Sequence, residues 1–276
     1  MILFLSFVFP VLTNAQNAEE FYKQGLAALN TSDFATAINA FGNAVSTNPS
    51  FAEAYNKLGM AYYFTGNNSA ALENYNRAVK LKPQLIETYF NLANVYGRQK
   101  QHSMAIECYK QAIKYDSSNA YAYNQLGMAY FSLKNFEASV LALANAVRIN
   151  PNDVEAHQTM GDCYYHLTEY VKAVAAYEKA AKLRPNDVTI CSNLGNSYKK
   201  IGEYQKAVDT YMIVLRFAPR NGNALLNIAT CYEMLGNDAQ ALTWYERANY
   251  NYESLTAAQK KMLDSSISAL RKNLKK

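Results

Sequence analysis

The side chains with reactive chemistry are few and scattered along the chain. Four cysteines occur, Cys108, Cys163, Cys191 and Cys231, and none forms a CxxC pair. Cys163 and Cys231 share a position that elsewhere holds Ala27, Ala61, Val95, Ala129 and Ser197. That pattern predicts small packing thiols rather than nucleophiles. A Cys163–Cys191 disulfide would need an oxidising compartment, and spacing alone does not bring two sulfurs together. Of the histidines His102, His157 and His166, the last lies four residues after Asp162. On a helix that separation suits an ion pair or two ligands of a metal. No third ligand accompanies them, so no metal site is expected. His157 fills a position otherwise aromatic and is expected to pack. There is no nucleophile elbow, phosphate-binding glycine loop or carboxylate pair. The expectation is a chain that is not an enzyme, with no catalytic residue, no cofactor and no small-molecule substrate. A balance of 27 basic to 22 acidic residues, net +5, is mild. It predicts no nucleic-acid partner, which would call for a basic stripe.

The elements that carry these side chains follow a strict period. The clearest copy runs from Ala52 to Leu85. Tyr55, Leu58, Gly59 and Tyr62 share one helical face; a polar break follows at Gly66-Asn67-Asn68; Ala71, Tyr75 and Ala78 share the face of a second helix, which Pro83 ends. Neither helix buries its apolar face alone, so the unit needs neighbours. Shifted by 34 residues, Tyr62 becomes Tyr96, Tyr130, Tyr164, Tyr198 and Tyr232. Gly59 becomes Gly25, Ala93, Gly127, Gly161, Gly195 and Ala229, and Tyr75 becomes Phe41, Tyr109, Leu143, Tyr177, Tyr211 and Tyr245. Period and residue pattern together resemble the tetratricopeptide repeat (TPR).

Seven copies tile residues 18–51, 52–85, 86–119, 120–153, 154–187, 188–221 and 222–255 without a linker. The resemblance implies an all-α fold, a right-handed superhelical solenoid of seven helix-turn-helix repeats. Residues 256–276 open with the capping-box pair Thr256 and Gln259 and carry an apolar stripe of Met262, Leu263, Ile267, Leu270 and Leu274. This predicts a C-terminal capping helix. Its basic outer face is the one feature that would suit membrane contact, and covering the array's open end is the stronger expectation. Trp244 stands where other repeats carry mostly small residues and is expected under this cap. At the other end, residues 2–12 are almost wholly apolar and uncharged, and Thr13 and Ala15 precede Gln16. Residues 1–15 therefore read as a secretory signal, predicting an exported protein, periplasmic or secreted; the missing basic residue keeps a cytoplasmic or membrane-anchored chain as the alternative.

The family resemblance further implies a concave face lined by the first helix of each repeat. Two polar positions recur there: Lys57, Asn91, Gln125, Thr159, Asn193 and Asn227, and then Asn94, Asp162, Asn196 and Thr230 among apolar residues. The ladder is similar to the asparagine ladder of the O-GlcNAc transferase TPR region. Side-chain amides each offer a donor and an acceptor for the backbone of an extended peptide. Tyr63, Phe131 and Tyr165, with Lys199 and Lys200, complete the expected peptide-binding set as anchors. The carboxylate clamp of chaperone adaptors needs Lys and Asn in the first repeat, where Tyr22 and Leu26 stand, so that adaptor type is not expected. The function so read is a non-catalytic scaffold or adaptor that takes a peptide or partner protein in its groove during assembly of a larger complex.

Overall fold

The structure is a computed structural model that describes the backbone over residues 8–251 and 255–274, and side chains from Gln16 onward. Residues 1–7 of the expected leader lie outside the described residues, as do residues 252–254 and 275–276. All regular structure among the described residues is helical. The chain divides into two compact units, one ending at Leu133 and the other beginning at Lys134.

The first unit holds α1 (Val8–Asn30), α2 (Phe34–Thr47), α3 (Ala52–Phe64), α4 (Asn68–Leu81), α5 (Ile86–Arg98), α6 (His102–Tyr115) and α7 (Ala120–Ser132). Each helix packs on the next along the chain. The second unit holds α8 (Phe136–Ile149), α9 (Val154–His166), α10 (Tyr170–Leu183), α11 (Val188–Lys200), α12 (Tyr204–Phe217), α13 (Gly222–Met234), α14 (Asp238–Asn249) and α15 (Ala257–Asn273). Here too each helix lies against its successor, ending with α15 on α14.

Local chemistry sets these boundaries. Asp33, Asn67, Asn135 and Asn237 each accept a backbone N–H three residues on and so cap α2, α4, α8 and α14. Asn119, Asp153, Asp187 and Asn221 do the same for α7, α9, α11 and α13. The turn inside each helix pair passes through one left-handed residue, recurring every 34 positions: Ser32, Gly66, Lys100, Lys134, Thr168, Gly202 and Gly236. Glycine takes this conformation without strain; the four other residues hold it at φ 58–61°.

Packing explains the small-residue position in the first helix of each pair. A Cβ added at Gly195 would lie 2.7 Å from the Tyr211 ring, and one at Gly161 2.6 Å from the Tyr177 ring. The ring of the second helix occupies the space a side chain would fill, so the two backbones approach closely. Those rings are almost fully buried, with Tyr75, Tyr177, Tyr211 and Tyr245 each at 1% exposure. The core of the second unit continues without a break from Tyr177 through Tyr211 and Tyr245 into Leu263, Ile267 and Leu270 of α15. Of the apolar stripe read from the sequence, Leu263, Ile267 and Leu270 form the buried face of α15, whereas Met262 and Leu274, the latter just past the helix end, are exposed. Trp244 is buried in the same core. The groove that its ring helps to line is completed by Met212, Ile213 and Leu215 of α12, with the Arg247 guanidinium 4.1 Å over the ring.

The cysteine thiols sit apart as packing groups. Cys163 Sγ donates to Ser139 Oγ at 3.2 Å, and Cys191 Sγ to the Pro185 carbonyl at 3.5 Å. Burial pushes the Cys163 thiol up to about 11 and the Cys108 thiol to about 12, which keeps both protonated at neutral pH.

Candidate functional site: an amide-lined trough in the second unit

The second unit carries a trough of about 800 Å³. The first helices of its last repeats, α11 and α13, supply Ser192, Asn193, Asn196 and Lys199, then Asn227, Thr230 and Glu233. Tyr211 and Tyr245 reach it from α12 and α14, and α15 adds Gln259, Met262 and Ser266. A smaller hollow of about 260 Å³, lined by Asp162, Tyr165, His166 and Tyr177, shares Asn193 and Asn196 with the trough and extends it toward α9.

The polar groups form a repeating relay. The hydroxyls of the second unit's buried tyrosines Tyr177, Tyr211 and Tyr245 reach the polar residue just after the small position, 15 residues earlier. Tyr177 Oη donates to Asp162 Oδ1, and Tyr211 Oη donates to Asn196 Oδ1 at 2.6 Å. Tyr245 Oη lies 3.4 Å from Thr230 Oγ1 and donates to Glu233 Oε2 at 2.7 Å. An asparagine from the next repeat joins each of the first two pairs: Asn193 Nδ2 donates to Asp162 Oδ1 at 3.1 Å, and Asn227 Nδ2 to Asn196 Oδ1 at 3.3 Å. Lys199 Nζ donates to Asn227 Oδ1 at 2.5 Å.

Two charges set which way every amide in the relay faces. Lysine only donates, so Asn227 turns its oxygen to Lys199 and its NH2 to Asn196. Asn196 must then offer its oxygen, which accepts from both Asn227 and Tyr211, and its own NH2 is left facing the trough. At the other end an ionised carboxylate only accepts. Asn193 turns its NH2 to Asp162, and its oxygen is left as the outward acceptor. The phenols of Tyr177 and Tyr211 are pushed strongly upward by burial, so both stay protonated donors. The result is an acceptor at Asn193 and a donor at Asn196, one helical turn apart on the same face of α11.

Burial also acts on the charges themselves. It pushes the Asp162 carboxyl up, against the hydrogen bond from Tyr177, the charge of His166 and the hydrogen bond from Asn193, which pull it down. It pulls the Lys199 ammonium below the usual lysine range, and the Lys200 charge adds to the effect. For Asp162 the consequence for stability has a definite sign. Its folded pKa exceeds its unfolded one, so its favourable contribution is present in acid and is lost as pH rises through the raised pKa. Asp162→Asn keeps the acceptor oxygen and removes the charge. Thermal melts from pH 4 to 8 should show a flatter pH dependence in the variant, with a Tm at pH 7 no lower than that of the parent. A parallel offset at every pH would assign the change to packing instead.

The structure gathers only part of the residue set expected from the sequence. Asn193, Asn196, Asn227 and Lys199 meet in the trough, and Tyr165 borders the adjoining hollow in edge contact with Tyr170. Lys200 turns away, its ammonium 5.8 Å from the centre of the Tyr170 ring. The remaining residues lie in the first unit. There Asn91 Nδ2 donates to the buried Asn56 Oδ1 at 2.9 Å, Asn94 is exposed, and Gln125 Nε2 donates weakly to Met128 Sδ at 3.7 Å. Tyr63 lies under the Arg98 guanidinium at 4.6 Å, and Phe131 is half-buried. His166, four residues after Asp162, lines the same hollow and stacks flat on Phe136 at 4.7 Å. Sequence reasoning did not pick out the hydroxyls of Tyr177, Tyr211 and Tyr245, nor the wall supplied by α15. The constant 15-residue offset between tyrosine and polar residue was the available signal for the former.

Comparison with known proteins agrees with the helix-pair architecture. Models of the tetratricopeptide repeat match residues 86–119, 120–153 and 192–254, and a TPR repeat model matches residues 59–100 and 161–202. No curated protein matches the sequence. Among solved structures, a crystal structure of MamA protein is similar at 25% identity and a TM-score of 0.57, covering 62% of this chain and 93% of that one. YrrB, described as a TPR protein with an unusual peptide-binding site, is similar at 22% identity and a TM-score of 0.61, covering 68% and 97%. A tetratricopeptide repeat protein from Parabacteroides merdae ATCC 43184 shares 15% identity and a TM-score of 0.60, covering 93% and 99%. The periodic helix pairs, the ring-against-glycine packing and these matches agree: the chain belongs to the tetratricopeptide repeat family.

Proposed function

We propose that this protein is an exported adaptor whose second-unit trough holds an extended segment of a partner protein, in the service of assembling a larger complex. The observation that carries the reading is the pair of outward amide groups on α11. Asn193 Oδ1 and Asn196 Nδ2 offer an acceptor and a donor side by side, which complements the N–H and C=O that one residue of an extended strand presents to the same side. The trough around them is rich in amides and hydroxyls and nearly balanced in charge, with Lys199 and Glu233 its charged lining residues. That lining suits main-chain recognition. YrrB, which shares the fold, is described as having a peptide-binding site. Export rests on the uncharged apolar run at residues 2–12 and the small residues before Gln16. Among the described residues no helix is long and apolar enough to cross a membrane.

A photo-crosslinking residue placed at Ser192, on the trough, should capture the partner in the native host, and one at the exposed Lys179 should not. The captured segment, made as a peptide, should bind the double variant Asn193→Ala, Asn196→Ala about tenfold more weakly, the equivalent of two modest hydrogen bonds. Capture only from Lys179, or unchanged affinity in a folded double variant, would refute the trough. Gln16 as the first residue of the mature protein would establish export with cleavage after Ala15.

A further inference from the structure

Lys199 differs from the other half-buried lysine of a first helix. Lys57 reaches across to the carboxylate of Glu87 at 2.7 Å in the next repeat. Lys199 is half-buried in the trough, and its described partner is a neutral amide oxygen, Asn227 Oδ1. No carboxylate lies within ion-pair distance of it among the described residues. The acids that line the trough and the adjoining hollow are otherwise engaged: Glu233 with the Tyr245 hydroxyl, and Asp162 with Tyr177 and Asn193. An ammonium taken partly out of water without a counter-charge is costly, and its remaining N–H groups call for an acceptor. The outward NH2 of Asn196 is a second donor on the same lining.

Building on the trough reading above, we infer that the bound segment carries an acidic side chain, Asp or Glu, which sits between Lys199 Nζ and the second N–H of Asn196 Nδ2, the first being taken by the strand carbonyl, and supplies the missing counter-charge. The acid is internal to the segment. Past Lys199 the trough continues along Thr230, Glu233 and Tyr245 to Gln259, Met262 and Ser266, so the chain has room to go on. Glu233 in that stretch disfavours a second acid there and favours a neutral or basic residue. The ligand class is thus an extended peptide with one acidic residue followed by neutral or basic ones, recognised by charge at one point and by main-chain hydrogen bonds beside it.

The full chain would be titrated against fluorescein-labelled octapeptide pools, acetylated and amidated at their ends. Seven positions are randomised, and the fourth is fixed as Glu, Gln or Lys. Anisotropy should show the Glu pool binding about tenfold more tightly than the Gln pool at low salt, with the Lys pool weakest, as expected for a charge-assisted hydrogen bond in a desolvated site. Lys199→Gln should bring the Glu pool down to the level of the Gln pool, and 0.5 M NaCl should narrow the gap in the parent protein. Equal binding of the Glu and Gln pools, or a Glu preference that survives in folded Lys199→Gln, overturns the inference. So does a Gln pool with a free C-terminal carboxylate that matches the Glu pool, since the acid would then be the chain end. Binding of all three pools alike, lost in Asn193→Ala, Asn196→Ala, keeps the peptide trough and removes the acidic preference. Absence of binding by every pool removes both.

Discussion

Tyr211→Ala is expected to lower the unfolding free energy by about 3–5 kcal/mol, in the range for truncating a fully buried aromatic ring. The ring is 1% exposed and fills the space over Gly195, where a Cβ would come within 2.7 Å of it. Its hydroxyl donates to Asn196. Tyr211→Phe separates the two contributions. It keeps the ring and removes one donor to an amide oxygen that still accepts from Asn227, and should cost about 1 kcal/mol. Urea denaturation followed by far-ultraviolet circular dichroism would measure both. Repeat arrays lose stability locally before they unfold as a whole, so hydrogen exchange of α11 to α14 should be read alongside. A loss for Tyr211→Ala no larger than that for Tyr211→Phe would show that the ring does not hold the helix pair together.

The second large effect is expected at the end of the array. Leu263 is fully buried at 0% exposure and belongs to one core with Leu225, Tyr245, Ile267 and Leu270. Leu263→Ala should cost about 2–5 kcal/mol through lost burial and the cavity left behind. The effect would reach the proposed function because α15 also carries Gln259, Met262 and Ser266 into the trough, and Gln259 Nε2 donates to Asn223 Oδ1 of α13 at 2.5 Å. A loosened α15 should therefore weaken peptide binding at temperatures where α11 and α13 remain folded. Calorimetric titration at 10 °C and at 35 °C would show it as a widening gap from the parent protein. An equal affinity at both temperatures would assign α15 to stability alone.

Much of the fold was legible in the sequence for a simple reason. Tyrosine, glycine and alanine recur at positions fixed by helix-pair geometry, and each repeat confirms the others. The helical pairing, the small position at Gly195 and the buried stripe of α15 all follow from side-chain size and period. The site was less legible because period says where a ring lies and not what its hydroxyl meets. Tyr177, Tyr211 and Tyr245 read as core residues, yet their oxygens reach the trough surface. The asparagines read as a ladder of free amides, whereas Asn227 is bonded at both ends and Asn193 and Asn196 are each engaged at one end. Two single charges, Asp162 and Lys199, determine which ends remain, and nothing in their spacing announced that.

The fixed orientation of those amides would set the register of a guest strand. A strand entering with its N–H toward Asn193 and its carbonyl toward Asn196 finds partners at both. Because N–H and C=O alternate along one edge of an extended strand, the reversed strand meets the same pair only after slipping along the trough by one group. A guest held in the proposed way is thereby fixed in register for a given direction, and a retro-sequence of a true ligand would present its side chains at displaced positions even though its composition is identical.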